Sequence, residues 1–157
     1  MAWKALPYFP FQIAPNPAFP QGAVAWRPML FCKLSANNKG FNCIVEADTG
    51  ADNTVFPLSF AVALGLDPLS MPKNTTGGVG SSANVTYWQN IEIELPQLGV
   101  TIPIYAGFTS AMEAQGIGLL GQKGFFDRFN VSFHHKIKIF QVEIPEPPQP
   151  PPTPTIT

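Results

Sequence analysis

One stretch of the chain places an acidic residue two positions before a glycine, a pattern that can position a carboxylate for acid–base chemistry. Asp48 follows the apolar run Cys43–Ala47 and precedes Thr49 and Gly50. This order places the carboxylate at a strand end, on a tight turn whose backbone N–H groups can reach it. A bare Asp-Thr-Gly triplet is usually only a turn. Here the motif continues through Ala51–Thr54 into apolar residues and a proline, which makes a fifteen-residue pattern.

Residues 43–57 resemble the active-site motif of the retropepsins, the retroviral aspartic proteases and their cellular and bacterial relatives. Those proteins carry an Asp-Thr/Ser-Gly-Ala loop, often continued by acidic or amide residues and a threonine. A second mark of the family is a pair of apolar residues followed by glycine, and Leu119-Leu120-Gly121 lies where it belongs. The glycine-rich segment Gly77–Gly80 lies between the two marks, at the family's flap. The resemblance spans roughly residues 26–142.

The resemblance implies a mostly all-β fold, a retropepsin-like closed β-barrel with a flap hairpin and one or two short helices. It implies an aspartic endopeptidase that acts on a peptide or protein substrate without a cofactor or a metal ion. The expected catalytic residues are Asp48, Thr49 and Gly50. The expected substrate-binding residues come from the same loop and from the flap: Ala51, Asp52, Asn53, Gly77, Gly78 and Val79.

This chemistry requires two carboxylates, one to activate a water molecule and one to protonate the scissile carbonyl. Two carboxylates about 3 Å apart cannot both ionise, so they share one proton. The chain holds one Asp-Thr-Gly motif, and no second copy occurs near Asp67 or Asp127. We therefore expect a homodimer in which each copy supplies its Asp48 across a two-fold axis. By the resemblance, Thr49 would bond across that axis and lock the two loops together.

One departure from the family pattern keeps a second interpretation open. Many retropepsins place an arginine directly after the downstream glycine, where it pairs with the acidic residue that corresponds to Asp52. Here Gln122 and Lys123 follow Gly121, and a lysine cannot reproduce the bidentate fork of an arginine. The alternative to an active endopeptidase is a protease-like dimeric module that binds peptides or acts as a scaffold with little turnover.

Three other signals indicate other chemistries only weakly. Residues 116–121 spell G-x-G-x-x-G, but no strand precedes them and no long helix or acidic partner follows, as a dinucleotide site requires. His134 and His135 are adjacent and would point to opposite faces of a strand, so a polar turn is the expected structure. Asp48 and Asp52 have no third ligand at a recognisable spacing for a cation.

The surrounding pattern predicts the elements that would position this loop. Residues 26–47 read as a β-hairpin around Asn37-Asn38, and residues 57–65 read as a short helix closed by Gly65. Residues 75–82 form a mobile hairpin tip in this interpretation. Strands are predicted at 85–88, 91–95, 100–105, 131–133 and 137–142, with a turn of helix at 124–129 and a polar turn at 134–136. Many short strands without a βαβ rhythm predict a barrel or a sandwich.

The composition of the chain predicts its domain boundaries and argues against nucleic acid as a partner. The chain has 157 residues, and its 18 prolines crowd into both ends. We expect a proline-rich N-terminal arm over 1–24, the protease domain over 25–144 and a flexible proline-rich tail over 145–157. The net charge of −1 gives no basic face for nucleic acid. No apolar run reaches the length of about 20 residues that a membrane span requires. The N-terminus lacks a signal-peptide pattern, which favours a cytoplasmic protein with two free thiols, Cys32 and Cys43.

Overall fold

The computed structural model describes residues 1–77 and 83–146, and most of them lie in strands. There is one short α-helix, α1, over Leu58–Ala63, and three single 3₁₀ turns lie at Pro68–Ser70, Ser110–Met112 and His135–Ile137. The strands are β1 Ala2–Pro7, β2 Phe9–Ile13, β3 Ala23–Arg27, β4 Met29–Ala36, β5 Lys39–Ala47, β6 Val55–Pro57, β7 Lys73–Gly77, β8 Ala83–Leu95, β9 Val100–Thr109, β10 Gly118–Leu120, β11 Val131–His134 and β12 Ile139–Ile144.

Six of these strands close into a barrel. They follow the order β4-β5-β10-β6-β9-β8, and β8 pairs again with β4. Closure leaves no free edge within this ring, so its backbone donors and acceptors are satisfied between strands. β7 extends from β8 as an antiparallel hairpin. The predicted fold, a mostly-β closed barrel with a hairpin and short helices, is confirmed.

The hairpin of β4 and β5 carries the loop with Asp48. Asn37 and Asn38 both have positive φ, 50° and 60°, the geometry of the two-residue turn that suits the twist of a hairpin. Leu30, Cys32 and Leu34 alternate inward and are buried. The prediction of one hairpin over residues 26–47 is wrong at its start, because Pro28 interrupts the run and residues 23–27 pair instead with β2.

The first strand lies beside the last. β1 pairs with β12 in antiparallel register from Ala2↔Ile144 to Pro7↔Ile139, and β11 flanks β12 on the other side. Leu6, only 6% exposed, belongs to the core that also holds Phe140 and Val142. Part of the predicted N-terminal arm is therefore packed on the barrel. The division of the chain at residues 24 and 144 stays a prediction, and most of the predicted tail, from residue 147 on, lies outside the described residues.

The helix α1 ends as its sequence predicts. Gly65 has φ 71°, and the Leu66 amide donates to the Ala61 carbonyl at 3.0 Å, so a left-handed residue closes the helix. Phe60 and Ala61 are buried against the barrel. Over residues 1–77 and 83–146, no helix combines the length and the apolar character needed to cross a membrane.

The two cysteines face each other across the hairpin. Cys32 and Cys43 occupy directly opposite positions of β4 and β5, and both are free thiols. Cys32 is buried, and its hydrogen bond with Cys43, followed by burial, raises the pKa of the Cys32 thiol. Cys32 is consequently held in its neutral form and fills core space as an apolar side chain would.

Candidate active site

Asp48 lies at the end of β5, where the barrel mouth begins. β5 runs parallel to β10, with Ala47 opposite Leu120, and the Asp48 amide donates to the Leu120 carbonyl at 3.0 Å. The Ala47 amide donates to the Pro28 carbonyl at 2.9 Å. Two apolar strands thus fix the backbone on either side of a half-buried carboxylate.

The loop after Asp48 is a tight turn that orients its own carboxylate. The Gly50 amide donates to Asp48 Oδ1 at 2.9 Å, and the Ala51 amide donates to the Asp48 carbonyl at 3.2 Å. A Cβ atom at Gly50 would lie 3.2 Å from Asp48 Oδ1, closer than most real contacts of this kind. Because glycine has no Cβ atom, the Gly50 amide can approach the Asp48 carboxylate without a steric conflict.

The Asp48 loop is joined to the segment after β10 by several hydrogen bonds. The Gln122 amide donates to the Ala51 carbonyl at 2.8 Å, and the Lys123 amide donates to the Asp52 carbonyl at 3.0 Å. The Gln122 side chain reaches further, and its Nε2 donates to the Thr49 carbonyl at 3.0 Å. The two motifs that are distant in sequence are thus one structural unit at the barrel mouth.

Gln122 directly follows Gly121, where the family pattern often has an arginine. Its side chain holds the Asp48 loop by its hydrogen bond to the Thr49 carbonyl. Lys123 and Asp52 are both exposed, and across the described residues their side chains form no ion pair. Among the described residues, Lys123 therefore does not take the pairing role that an arginine has in the family pattern. The contact between Gln122 and Thr49 was not predicted, because it joins residues that are far apart in sequence.

Thr54 bridges the two motifs from inside the barrel. Its side chain is fully buried, Oγ1 donates to the Lys123 carbonyl at 3.0 Å, and Oγ1 accepts from the Gly121 amide at 3.1 Å. One hydroxyl therefore serves as the partner of two backbone groups, the buried Gly121 N–H and the partly buried Lys123 C=O. The threonine that extends the Asp-Thr-Gly motif is explained by this double role.

Thr54→Val should lower the free energy of unfolding by about 2–4 kcal/mol, because it keeps the shape but removes the partner of the buried Gly121 N–H and of the partly buried Lys123 C=O. Urea or guanidinium unfolding followed by fluorescence measures this loss. Thr54→Ser, which keeps the hydroxyl and loses one methyl group, is the matched control and should cost about 1 kcal/mol. A valine variant as stable as the serine variant would contradict the bridging role of Thr54.

The other expected site residues lie in different settings. Thr49 and Gly50 are exposed, while Ala51 and Asn53 are half-buried at the rim. Gly77 ends β7 and pairs with Ala83 at the start of β8. Of the expected mobile tip over residues 75–82, residues 75–77 lie in strand β7, whereas residues 78–82, with Gly78 and Val79, lie outside the described residues. The structure brings the loop residues together and places Gly77 on the hairpin that leads to the predicted flap.

A second carboxylate, which the sequence analysis did not single out, lies near Asp48. Glu46 is two residues earlier on β5, so its side chain leaves the strand on the same side as that of Asp48. Glu46 is half-buried and forms an ion pair with Arg27 at 3.6 Å. Burial raises the pKa of Glu46, Arg27 opposes this shift, and Asp48 adds to it. A polar pair thus borders the proposed catalytic carboxylate.

No cluster with the composition of a metal site occurs over residues 1–77 and 83–146. His134 and His135 lie at the turn into the last 3₁₀ helix. His134 Nε2 lies 2.9 Å from Ser132 Oγ, and His135 Nε2 lies 2.9 Å from Lys138 Nζ. Both histidines take part in local polar contacts at this turn.

Comparison with known proteins supports the fold. The chain is similar to the crystal structure of a retropepsin-like aspartic protease from Rickettsia conorii, with 18% sequence identity, coverage of 85% of this chain and 98% of that chain, and a TM-score of 0.53. No protein-family model matches the chain, and no curated protein matches it. At this identity the likeness establishes a shared architecture. The chain has the retropepsin-like aspartic protease fold.

Proposed function

We propose that the chain is an aspartic endopeptidase that hydrolyses peptide bonds as a homodimer. One observation carries the proposal: within a retropepsin-like fold, Asp48 lies on a loop held by the Gly50 amide and by the Gln122 side chain. A carboxylate that serves as an acid or a base must be held at a fixed position and remain open to water, and a half-buried side chain at a barrel mouth has both properties.

The proposed reaction uses Asp48 from each of two copies. The ionised carboxylate takes a proton from a water molecule as its oxygen attacks the scissile carbonyl carbon. The protonated carboxylate gives its proton to the carbonyl oxygen, and a tetrahedral diol forms. Collapse of the diol with protonation of the amide nitrogen breaks the C–N bond and restores the shared proton. Thr49 and Gly50 are proposed to fix the geometry of this pair.

The substrate is proposed to bind along the loop and below the predicted flap. Ala51, Asp52 and Asn53 follow the catalytic turn at the rim, where their backbone and side chains can meet an extended peptide. Gly77 of the hairpin is proposed to contribute from above, together with the undescribed Gly78 and Val79. Both sides of the peptide backbone would then find hydrogen-bond partners.

The assembly follows from the count of motifs. The chain holds one Asp-Thr-Gly loop, and Thr49 and Gly50 are exposed in the single chain. Because the dyad exists only in the dimer, specific activity should fall on dilution through the dissociation constant of the dimer. Sedimentation velocity and peptide cleavage measured over the same concentrations check this. A monomer with full specific activity would contradict the shared site.

A peptide-binding or scaffold module is the second candidate, and one observation favours it. The Asp52 carboxylate forms no ion pair in the part of the chain that the structure describes, so the rim lacks the fixed fork that an arginine would provide. Incubation with a broad peptide library from acidic to neutral pH separates the candidates. Cleavage that a statine-type transition-state mimic blocks supports the protease, whereas binding without cleavage supports the module.

A further inference from the structure

A groove of about 860 Å³ opens beside the Asp48 loop. Its lining includes Asn53, one of the residues proposed to meet the substrate. The walls come from β7, β8, β9 and the segment that follows Gly121. Its volume falls in the range of sites that hold a ligand of several residues or a cofactor. The groove therefore continues the proposed substrate cleft onto the outer face of the barrel.

An aromatic platform lies on one wall of this groove. Trp88 and Tyr105 are stacked, with ring centroids 5.5 Å apart and an interplanar angle of 21°. Trp88 Nε1 donates to Asn74 Oδ1 at 2.7 Å, which fixes the orientation of the indole. Tyr105 is 51% exposed. A fixed, partly exposed aromatic face of this kind offers a contact surface for another ring or an apolar side chain.

The other walls are positively charged. Lys73, Lys123 and Arg128 line the groove, and Asp127 is the single carboxylate among the described residues that do. Asp127 is occupied in its own turn, where Oδ1 accepts from the Gly124 amide at 3.0 Å. None of the three cations forms an ion pair with another described residue. The groove is thus cationic on a chain whose net charge is −1.

Arg128 is held in place without being neutralised. Its Nη2 donates to the Pro103 carbonyl at 3.0 Å, across the groove wall formed by β9. A neutral acceptor fixes the guanidinium but leaves its charge and its remaining donors available to a carboxylate. The fixed charge reduces the side-chain entropy that a ligand would lose on binding.

We propose that this groove is an exosite that binds an acidic segment with an aromatic residue in the protein substrate, outside the segment that is cleaved. The inference rests on the proposed protease function. Cationic side chains would meet the carboxylates, and the platform of Trp88 and Tyr105 would meet the ring. A polypeptide is the favoured occupant because the groove and the cleft share Asn53, so one extended chain can fill both.

Binding is tested first on the Asp48→Asn protein, so that the result does not depend on cleavage. A labelled peptide of alternating glutamate and tyrosine should bind, and the same peptide with glutamine in place of glutamate should bind at least about tenfold more weakly. Raising the salt concentration should weaken the binding of the acidic peptide only, because salt screens the attraction between its carboxylates and the cations of the groove. Equal affinity for both peptides would overturn the exosite.

Two double substitutions, one inside the groove and one outside it, test where the acidic peptide binds. Lys73→Gln with Lys123→Gln should weaken the acidic peptide about tenfold, because both groove lysines are exposed and can be replaced without loss of an ion pair among the described residues. Lys33→Gln with Lys136→Gln removes two exposed lysines outside the groove and should leave the affinity unchanged. Equal effects of the two pairs would indicate attraction to the whole surface and overturn the assignment.

Cleavage by the wild-type protein then ties the groove to the substrate. A cleavable peptide extended by the acidic segment should show a KM about tenfold lower than one extended by the glutamine segment, with kcat unchanged. Absence of any cleavage, with the binding results intact, would refute the protease function and leave the groove as a peptide site. Displacement of the acidic peptide by a mononucleotide at lower concentration would overturn the polypeptide assignment, because the same charges and rings can hold an aromatic anion.

Discussion

Asp48→Asn should abolish peptide cleavage while the melting temperature holds or rises. Asparagine keeps the size of the side chain and can still accept from the Gly50 amide through its carbonyl oxygen. It cannot take a proton from water or share one with its partner. In a dimer the change removes both carboxylates at once, and the loss of acid–base catalysis should lower kcat by at least about 1,000-fold.

The stability part of this prediction has a separate physical reason. Two carboxylates held close together repel each other or force one proton to be retained, and two amides do neither. Cleavage of a fluorogenic peptide and differential scanning calorimetry check the two parts. Asp67→Asn is the control, because Asp67 Oδ1 accepts from the Leu69 amide at a short 3₁₀ helix and an asparagine can do the same. Wild-type turnover by Asp48→Asn would refute the aspartic-protease mechanism.

Gly121→Ala should lower the free energy of unfolding by about 3 kcal/mol or more, through a collision with backbone. A Cβ atom at Gly121 would lie 2.2 Å from the Asn53 carbonyl oxygen and 2.7 Å from the Ala51 carbonyl oxygen. Neither neighbour is the end of a flexible side chain, so the Asp48 loop itself must move. For a chain of this size, the expected decrease in melting temperature is about 6–12 °C.

A glycine in a strand provides the control for this change. A Cβ atom at Gly40 would lie 2.8 Å from Cε of Lys33, the far end of a mobile side chain. Gly40→Ala should therefore cost less than about 1 kcal/mol, since Lys33 can swing away. Thermal unfolding of both variants separates the two cases. If Gly121→Ala has the same melting temperature as Gly40→Ala, the close contact between the two motifs does not constrain stability.

The elements that carry the site were predictable because their signals are local. Asn37-Asn38 between two apolar runs specifies a turn, and Gly65 specifies a helix end, so the hairpin and the helix α1 follow from neighbouring residues. The loop with Asp48 was predictable as a strand end followed by glycine. Its resemblance to a known motif indicated the closed barrel, which the local pattern left open between a barrel and a sandwich.

The contacts that hold the site together were not predictable, because they join residues far apart in sequence. Nothing near Gln122 indicates that its side chain would reach the Thr49 carbonyl, and nothing near Thr54 indicates two backbone partners. The pairing of β1 with β12 was hidden for the same reason, and prolines around β1 favoured an arm. The ion pair between Glu46 and Arg27 was also hidden, because it joins β5 of the barrel to β3, which pairs with β2 in a separate sheet.

The pairing of β1 with β12 also sets the order in which a newly made chain can complete its fold. Ala2–Pro7 is made before the barrel sequence, whereas its partner Ile139–Ile144 is made only after it. At about 5–20 residues per second, β1 waits roughly 7–27 s for the strand that it pairs with. Contacts between residues far apart in sequence are also slow to form, because a long loop must close. The sheet of β1, β12 and β11 can therefore form only once translation has passed Ile144, and β1 stays unpaired while the barrel sequence is made.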